Sequence, residues 1–288
     1  MLTLVSRAAS TLQEMRPIEE TTVLITGATD GLGRGVARDL AARGAKVLLH
    51  GRSRERLDEL SAELGGAPTF LADLASLEEV RRLAAEVEQS TDALHVLINN
   101  AGIGGGAPDG TTRQESKDGH ELRLAVNHLA GFLLTLRLLP LLRRSKPARV
   151  VFVASLGQAP MDFDDPMLER GYSGSRAYGQ SKLAQITTGF ELANRLDPNE
   201  VTVTSLHPST YMPTKMVLEA RGSSVDTLEA GIEATSRLAV DPELEGVTGR
   251  FYDRQRESTP DPQASDEEQR KRLWALSLEL VGEPEPAL

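Results

Sequence analysis

The chain predicts a single-domain α/β fold, a Rossmann-type doubly wound sheet of about seven mainly parallel strands flanked by helices. Three observations predict it. Short apolar runs alternate with amphipathic stretches of helix length along most of the chain, the pattern of a parallel sheet with helices on both faces. Most of those runs are continuously apolar and do not alternate, as strands buried on both faces are. The first run also leads straight into a glycine-rich turn followed by a helical pattern, the start expected of a βαβ unit.

The strand runs are Thr21–Thr26, Lys46–His50, Pro68–Leu71, Leu94–Ile98, Arg149–Ala154 and Val201–Leu206, with a seventh at Gly249–Asp253. Between them lie amphipathic stretches at Leu32–Arg43, Arg54–Leu64, Ser76–Gln89, Gly119–Arg144, Arg176–Leu196 and around Val225–Ala239. Two loops stand out, Gly102–Gly119 after the fourth strand and Gly157–Ser175 after the fifth. Both leave the carboxyl end of a strand, where ligand sites form in such sheets. The domain is expected to span residues 21–253. Residues 1–20 form an N-terminal extension, with Val5, Ala8, Ala9, Leu12 and Met15 at helical spacing. Residues 254–288 form a polar tail with one short helix, marked by Leu273, Trp274, Leu276, Leu278 and Leu280.

Composition narrows the chemistry. The 288 residues contain no cysteine, which excludes a disulfide scaffold, a Cys-ligated metal and a thiol nucleophile. A net charge of −10 argues against a general nucleic-acid surface but permits a local basic pocket. The N-terminus lacks the apolar core of a secretory signal, and Arg137 and Pro140 interrupt the longest apolar run, Phe132–Leu142, so no membrane span is expected. The expected compartment is the cytoplasm. The five histidines, His50, His95, His120, His128 and His207, show no ligand spacing, so no metal is expected. No G-x-S-x-G elbow supports a hydrolase.

The first strand runs into Gly27-Ala28-Thr29-Asp30-Gly31-Leu32-Gly33. Glycines there let a pyrophosphate approach the backbone, and the following helix presents free N–H groups to it. Thr29, Asp30 and Leu32 are candidate contacts with the three glycines. An acidic residue at the end of the second strand would grip a ribose 2′-hydroxyl; this chain has Arg52 and Ser53 instead. Arg52 suits a forked bond to a 2′-phosphate, and Arg34 offers a second positive charge, so the expected cofactor is NADP(H). Asp73, followed by Leu74, is a candidate partner of the adenine amino group or, alternatively, a helix N-cap.

Tyr178 and Lys182, at i and i+4, share one helix face. A neighbouring ammonium is expected to lower the phenol pKa toward working pH. Ser155 stands just past the fifth strand and Asn127 in the long helix after Gly119. Asn99-Asn100-Ala101-Gly102 follows the fourth strand.

Taken in this order, T-G-x-x-x-G-x-G, N-N-A-G, a helix Asn, a post-strand Ser and Y-x-x-x-K resemble the short-chain dehydrogenase/reductase superfamily over roughly residues 21–253. Asp118-Gly119-His120-Glu121, Val126-Asn127-His128-Leu129 and Arg176–Ala184 are similar to its retinol dehydrogenase and protochlorophyllide reductase-like branch. The resemblance implies that Tyr178 is the general acid in carbonyl reduction, that Ser155 holds the carbonyl oxygen, and that Lys182 binds the nicotinamide ribose and tunes Tyr178. It implies that Asn127 anchors a water leading to Lys182, that Asn99, Ala101 and Gly102 wall the cofactor, and that Pro208 and Thr210 follow strand six beside it. Three departures stand out. The segment between Ser155 and Tyr178 is long, Pro208-Ser209 replaces the usual Pro-Gly, and Thr214 is displaced by one position. Asp30 stands where NADP-using members often carry a basic residue.

The expected activity is NADP(H)-dependent interconversion of a carbonyl and an alcohol. Two other readings stand beside it: a dinucleotide-sensing regulator without catalysis, and C=C reduction, dehydration or epimerisation on the same fold. Met161, Phe163, Met167, Tyr172, Tyr211 and Met216 are expected to line an apolar pocket for a medium-to-large ketone or aldehyde. A homodimer through the helices of Asn127 and Tyr178 is a candidate assembly.

Overall fold

A computed structural model describes residues 16–106, 110–214, 217–218 and 222–288. The spacing from Val5 to Met15, and Met216, lie outside the described residues. The strands are β1 Thr22–Ile25, β2 Lys46–Gly51, β3 Thr69–Leu71, β4 Val96–Asn99, β5 Ala148–Val153, β6 Val201–His207, β7 Arg250–Asp253 and β8 Arg256–Ser258. They form one sheet in the order β3-β2-β1-β4-β5-β6-β7-β8. Every pairing is parallel except β7 with β8. The order reverses between β1 and β4, and ligands bind in the crevice beyond the carboxyl ends at such a switch point.

The helices are α1 Gly31–Ala42, α2 Arg54–Glu63, α3 Leu77–Ser90, α4 Ala130–Arg144, α5 Gly174–Arg195, α6 Leu228–Val240, α7 Pro262–Ser265 and α8 Glu267–Val281. A π turn, Leu124–Leu129, runs directly into α4. Two apolar layers cover the sheet. On one face Leu24, Leu97, Val150 and Phe152 meet Val80 and Leu83 of α3, Phe132 and Leu138 of α4, and Leu192 of α5. On the other, Val23, Ile25, Ile98 and Val151 meet Val36 and Leu40 of α1, Leu57 and Leu60 of α2, and Leu238 of α6. The alternation of sheet residues between the two layers explains why the central runs are apolar throughout.

The C-terminal segment departs most from expectation. It adds an eighth, antiparallel strand, Arg256–Ser258, whose Arg-Glu-Ser sequence has no apolar signal because it is a short, solvated edge. Its helix is 15 residues long and joins the main core through Leu273, Trp274, Leu278 and Val281. Trp274 meets Phe132 edge-on at 5.2 Å, and the Arg195 guanidinium lies 4.3 Å from the Trp274 ring centre. His128, from the π turn, bonds Ser277 Oγ at 2.8 Å. The stretch 119–144, expected to be one helix, opens instead with turns and a bridge between Glu115 and Glu121 before the π turn. The helix Leu124–Arg144 is long and apolar enough to cross a membrane, but 78% of its most apolar window is buried inside the fold.

Candidate active site

The loop from Gly27 to Gly33 sits at the switch point and is braced from three sides. Asn100 Nδ2 donates to Thr26 O at 2.8 Å and Gly27 O at 3.3 Å. Thr26 Oγ1 accepts the N–H groups of Asn100 and Ala101 at 2.9 and 3.0 Å. His50 Nδ1 accepts from Gly27 N–H at 3.2 Å while Nε2 pairs with Ala72 O at 3.1 Å. Burial pushes His50 down to about 4, so near neutrality the ring is uncharged and can accept from the loop. A Cβ on Gly33 would stand 2.1 Å from Gly27 O, a close approach that only glycine permits. Gly27 itself has φ +65° and lies against Ala101. The result is a tight turn ending at the N-terminus of α1, a cradle that fits a dinucleotide pyrophosphate.

Around the adenosine end the charges are largely paired. Asp30 caps α1, accepting from Gly31 N–H at 2.7 Å, and its other oxygen receives Arg56 at 3.1 Å. Arg34 does not supply the expected free charge. It is paired with Glu63 at 3.0 Å, which also takes Arg38, and those two guanidinium groups hold the Glu63 carboxyl down at about 2. Arg52 is exposed and has no ion-pair partner among the described residues. Ser53 caps α2, accepting from Arg56 N–H at 3.4 Å, which leaves its own proton to donate. Asp73 is not a cap. Ser76 caps α3, and Asp73 instead turns its oxygen onto Ala75 N–H at 3.0 Å. The neighbouring Leu74 is buried in the core. A cleft of about 430 Å³ lies beside Asp30 and Gly31, lined also by Arg34, Pro213 and Ile232. It holds none of Asn127, Ser155, Tyr178 or Lys182, so it flanks the loop only.

The fold brings Asn127, Ser155, Tyr178 and Lys182 together. Ser155 leaves β5, Tyr178 and Lys182 come from the first half of α5, and Asn127 comes from the π turn. Ser155 Oγ accepts from Gly157 N–H at 2.9 Å and lies close enough to the Tyr178 phenol to favour its ionisation. Lys182 Nζ lies 5.8 Å from the Tyr178 ring centre. It donates to Val153 O at 2.8 Å and Gln185 Oε1 at 2.9 Å, keeping one proton spare. A Cβ on Gly102 would stand 3.1 Å from Asn127 Oδ1 and 3.4 Å from Lys182 Nζ, so the strand-four loop closes over both.

Electrostatics overturn one expectation. Burial pushes the Tyr178 phenol up, against the pull of Ser155, and pushes Lys182 down to about 7. Desolvation disfavours the charged form of both groups. The Asn127 side chain is fully engaged. Its Oδ1 accepts Ile103 N–H at 2.8 Å, and its Nδ2 donates to Ile103 O and to Ser181 Oγ at 3.1 and 2.9 Å. Asn99 turns away from the cleft, Nδ2 donating to Thr135 Oγ1 on α4 at 3.0 Å.

Beyond β6, Pro208 is buried. Ser209 Oγ donates to Asp226 at 2.9 Å, and Thr210 N–H reaches the same carboxylate at 3.1 Å. The Thr210 hydroxyl pairs with His207. Thr214 reaches the cofactor loop instead: its Cγ2 stands 3.0 Å from where a Cβ on Gly31 would be. Of the expected pocket residues, Met161 is buried in the core, with Phe163 and Met167 packed against it, and Tyr172 is held by Glu121 and Arg123. Tyr211 remains at the site. It is 45% exposed, adopts a left-handed φ of 50°, and is close enough to Tyr178 to oppose that phenol's ionisation. Asn100, Thr26, His50 and Gln185 support the site without having been expected to. For the first three the roles depend on contacts between distant segments, so spacing carries no signal; Gln185, at i+3 from Lys182, had a local one.

Comparison with known proteins agrees with this arrangement. The family model for short chain dehydrogenases matches residues 21–223. Human retinol dehydrogenase 13 is 36% identical over 290 residues, covering 93% of this chain and 86% of that protein. A solved protein of Mycobacterium paratuberculosis superposes with TM-score 0.76 at 29% identity, covering 95% of this chain and 97% of the other. A short chain dehydrogenase of Escherichia coli CFT073, solved with NADPH, gives TM-score 0.66 at 27% identity over 82% and 97% of the two chains. The chain belongs to the short-chain dehydrogenase/reductase family, in a branch like the retinol dehydrogenases, and is an oxidoreductase of that family.

Proposed function

We propose that the protein interconverts an apolar ketone or aldehyde and its alcohol with NADP(H). The observation that carries the reading is the grouping of Ser155 and Tyr178 side by side, with Lys182 Nζ 5.8 Å from the phenol ring centre. A carbonyl oxygen placed between them meets two O–H donors, the preorganised site a developing alkoxide needs. Because burial raises the Tyr178 pKa, the phenol is protonated at neutral pH and can give its proton as general acid. The bound cofactor supplies the hydride. Lys182, held at about 7, can exchange a proton near neutrality, and its spare N–H is available to a ribose hydroxyl. Asn127 acts by fixing Ile103 beneath this group. Unpaired Arg52 and the Ser53 hydroxyl supply the preference for a 2′-phosphate. Exposed Leu156 and Tyr211 beside the reacting hydroxyls support an apolar substrate.

The test is NADPH absorbance with a panel of carbonyls that includes all-trans-retinal and medium-chain aldehydes, run in parallel with NADH. The expected outcome is turnover that prefers NADPH and is lost in Tyr178→Phe. Near-wild-type turnover by Tyr178→Phe would remove Tyr178 from its role, and a preference for NADH would remove Arg52 from its role.

A further inference from the structure

Arg123 is fully buried and takes no part in the chemistry proposed above. It stands one turn before Asn127, at the N-terminal boundary of the π turn. Its Nε donates to Gly104 O and its Nη2 to Gly105 O, both at 3.0 Å. Its Nη1 reaches the Tyr172 hydroxyl and Glu121 Oε1. Glu121 is itself 1% exposed; it accepts Tyr172 O–H at 3.3 Å and Leu124 N–H at 2.7 Å. A buried guanidinium is thus given a carboxylate and three neutral oxygens, arranged to match its planar fork.

The partners come from the two loops that bound the reacting hydroxyls. Gly104 and Gly105 follow Ile103, which Asn127 already holds by both backbone groups. Tyr172 ends the long segment between Ser155 and Tyr178, and Gly174 opens α5, one turn before Tyr178. A Cβ on Gly174 would stand 2.0 Å from Gly105 O and 3.0 Å from Arg123 Nη2. Gly174 N–H also donates to Gly110 O at 2.9 Å. One helical turn therefore grips the strand-four loop at two levels, Asn127 below and Arg123 above, and Arg123 carries the grip across to the start of the Tyr178 helix.

We infer that Glu121, Arg123 and Tyr172 form a positioning clamp that fixes the distance between the Gly104–Gly105 wall and the first turn of α5, and so sets where a carbonyl substrate sits against Tyr178. The clamp acts on the substrate side and leaves the dinucleotide cradle, built by Thr26, His50 and Asn100, untouched. Arg123 is a positioning residue in this role. The inference rests on the carbonyl reading of the site for its kinetic consequence but not for its structural one.

The experiment uses the full chain with Tyr172→Phe, which keeps the ring and loses the hydroxyl, and with Arg123→Lys, which keeps the charge and loses the fork. Carbonyl kinetics with all-trans-retinal as probe, NADPH affinity by fluorescence titration, and hydrogen exchange over residues 103–106 and 173–178 are measured for each. The clamp predicts a KM for the carbonyl raised about tenfold or more, with NADPH affinity within about twofold of wild type and faster exchange in both segments together. If Arg123→Lys fails to fold, Tyr172→Phe decides alone. Unchanged KM and exchange in a folded variant would overturn the clamp, as would NADPH affinity falling in step with carbonyl turnover. If wild type turns over no carbonyl, the activity reading fails, while paired exchange in the two segments still decides the clamp.

Discussion

Lys182 and Tyr178 each lose ease of charging on burial, which has a measurable consequence apart from catalysis. The unfolded chain keeps the Lys182 proton up to its ordinary value of 10.5, whereas the folded chain releases it at about 7. Between those values the unfolded state binds more protons, so this residue makes stability rise with pH, and its penalty is largest below about 7. In urea titrations Lys182→Met should therefore gain stability over wild type near pH 6.5, with the gap closing toward pH 10. A constant gap across that range would contradict the buried, depressed lysine. The second residue-scale expectation concerns Arg52. Removing one charge-assisted fork from a 2′-phosphate is worth about 1.5–3 kcal/mol, or roughly 10- to 100-fold in affinity. Arg52→Ala should weaken NADPH binding by that factor in calorimetry while leaving NADH unchanged; equal loss for both would assign Arg52 elsewhere. Tyr178 and Lys182 were legible from their i, i+4 spacing. The direction of their pKa shifts was not, because desolvation depends on everything packed around them.

At the scale of elements, the C-terminal helix is a working part of the core. Leu273, Trp274, Leu278 and Val281 fill the layer over α4 and α5, Arg270 reaches the buried Glu191 at 3.4 Å, and His128 bonds Ser277 across the junction. The segment before it holds the long loop after Ser155: Gln158 Oε1 accepts Asp261 N–H at 2.8 Å, and Gln263 pairs with Met161 N–H and O. Truncating a buried tryptophan costs about 3–5 kcal/mol, so Trp274→Ala should lower the chemical-denaturation midpoint by that equivalent. A loss under 1 kcal/mol would mean the helix is merely laid on the surface. The leucines of this helix were visible in the sequence. Their burial was not, because a helix of mean polar composition reveals its buried face only when a partner is known.

For the whole molecule, buried imidazoles weigh against acid, and three of them are pushed down furthest. Burial pushes His50 and His95 down to about 4 and His128 down to about 3. The unfolded chain takes up these protons near 6.5 while the folded chain resists, so stability falls as pH drops from about 6.5 toward 4. All three rings are engaged in the folded state. His50 accepts from the cofactor loop, His95 accepts from Thr22 N–H at 2.9 Å, and His128 bonds Ser277. Acid denaturation followed by circular dichroism should show a midpoint shifted to lower pH in His128→Gln. No shift would mean that carboxylates alone govern the acid limit.

The alternation of strand and helix, the parallel strands and the glycine turn were legible in the chain, because periodicity and local turn chemistry are written in neighbouring residues, whereas Asn127, Ser155, Tyr178 and Lys182 stood out as a set through the family resemblance. Which polar groups are already committed emerges only in the folded chain. Arg34 is spent on Glu63, Asn99 on Thr135, Thr210 on His207 and Tyr172 on the Arg123 cluster, while Arg52 and Tyr211 stand at the site. Most of those outcomes depend on pairings across long sequence separations, and burial makes the Asn99 and Arg123 pairings obligatory.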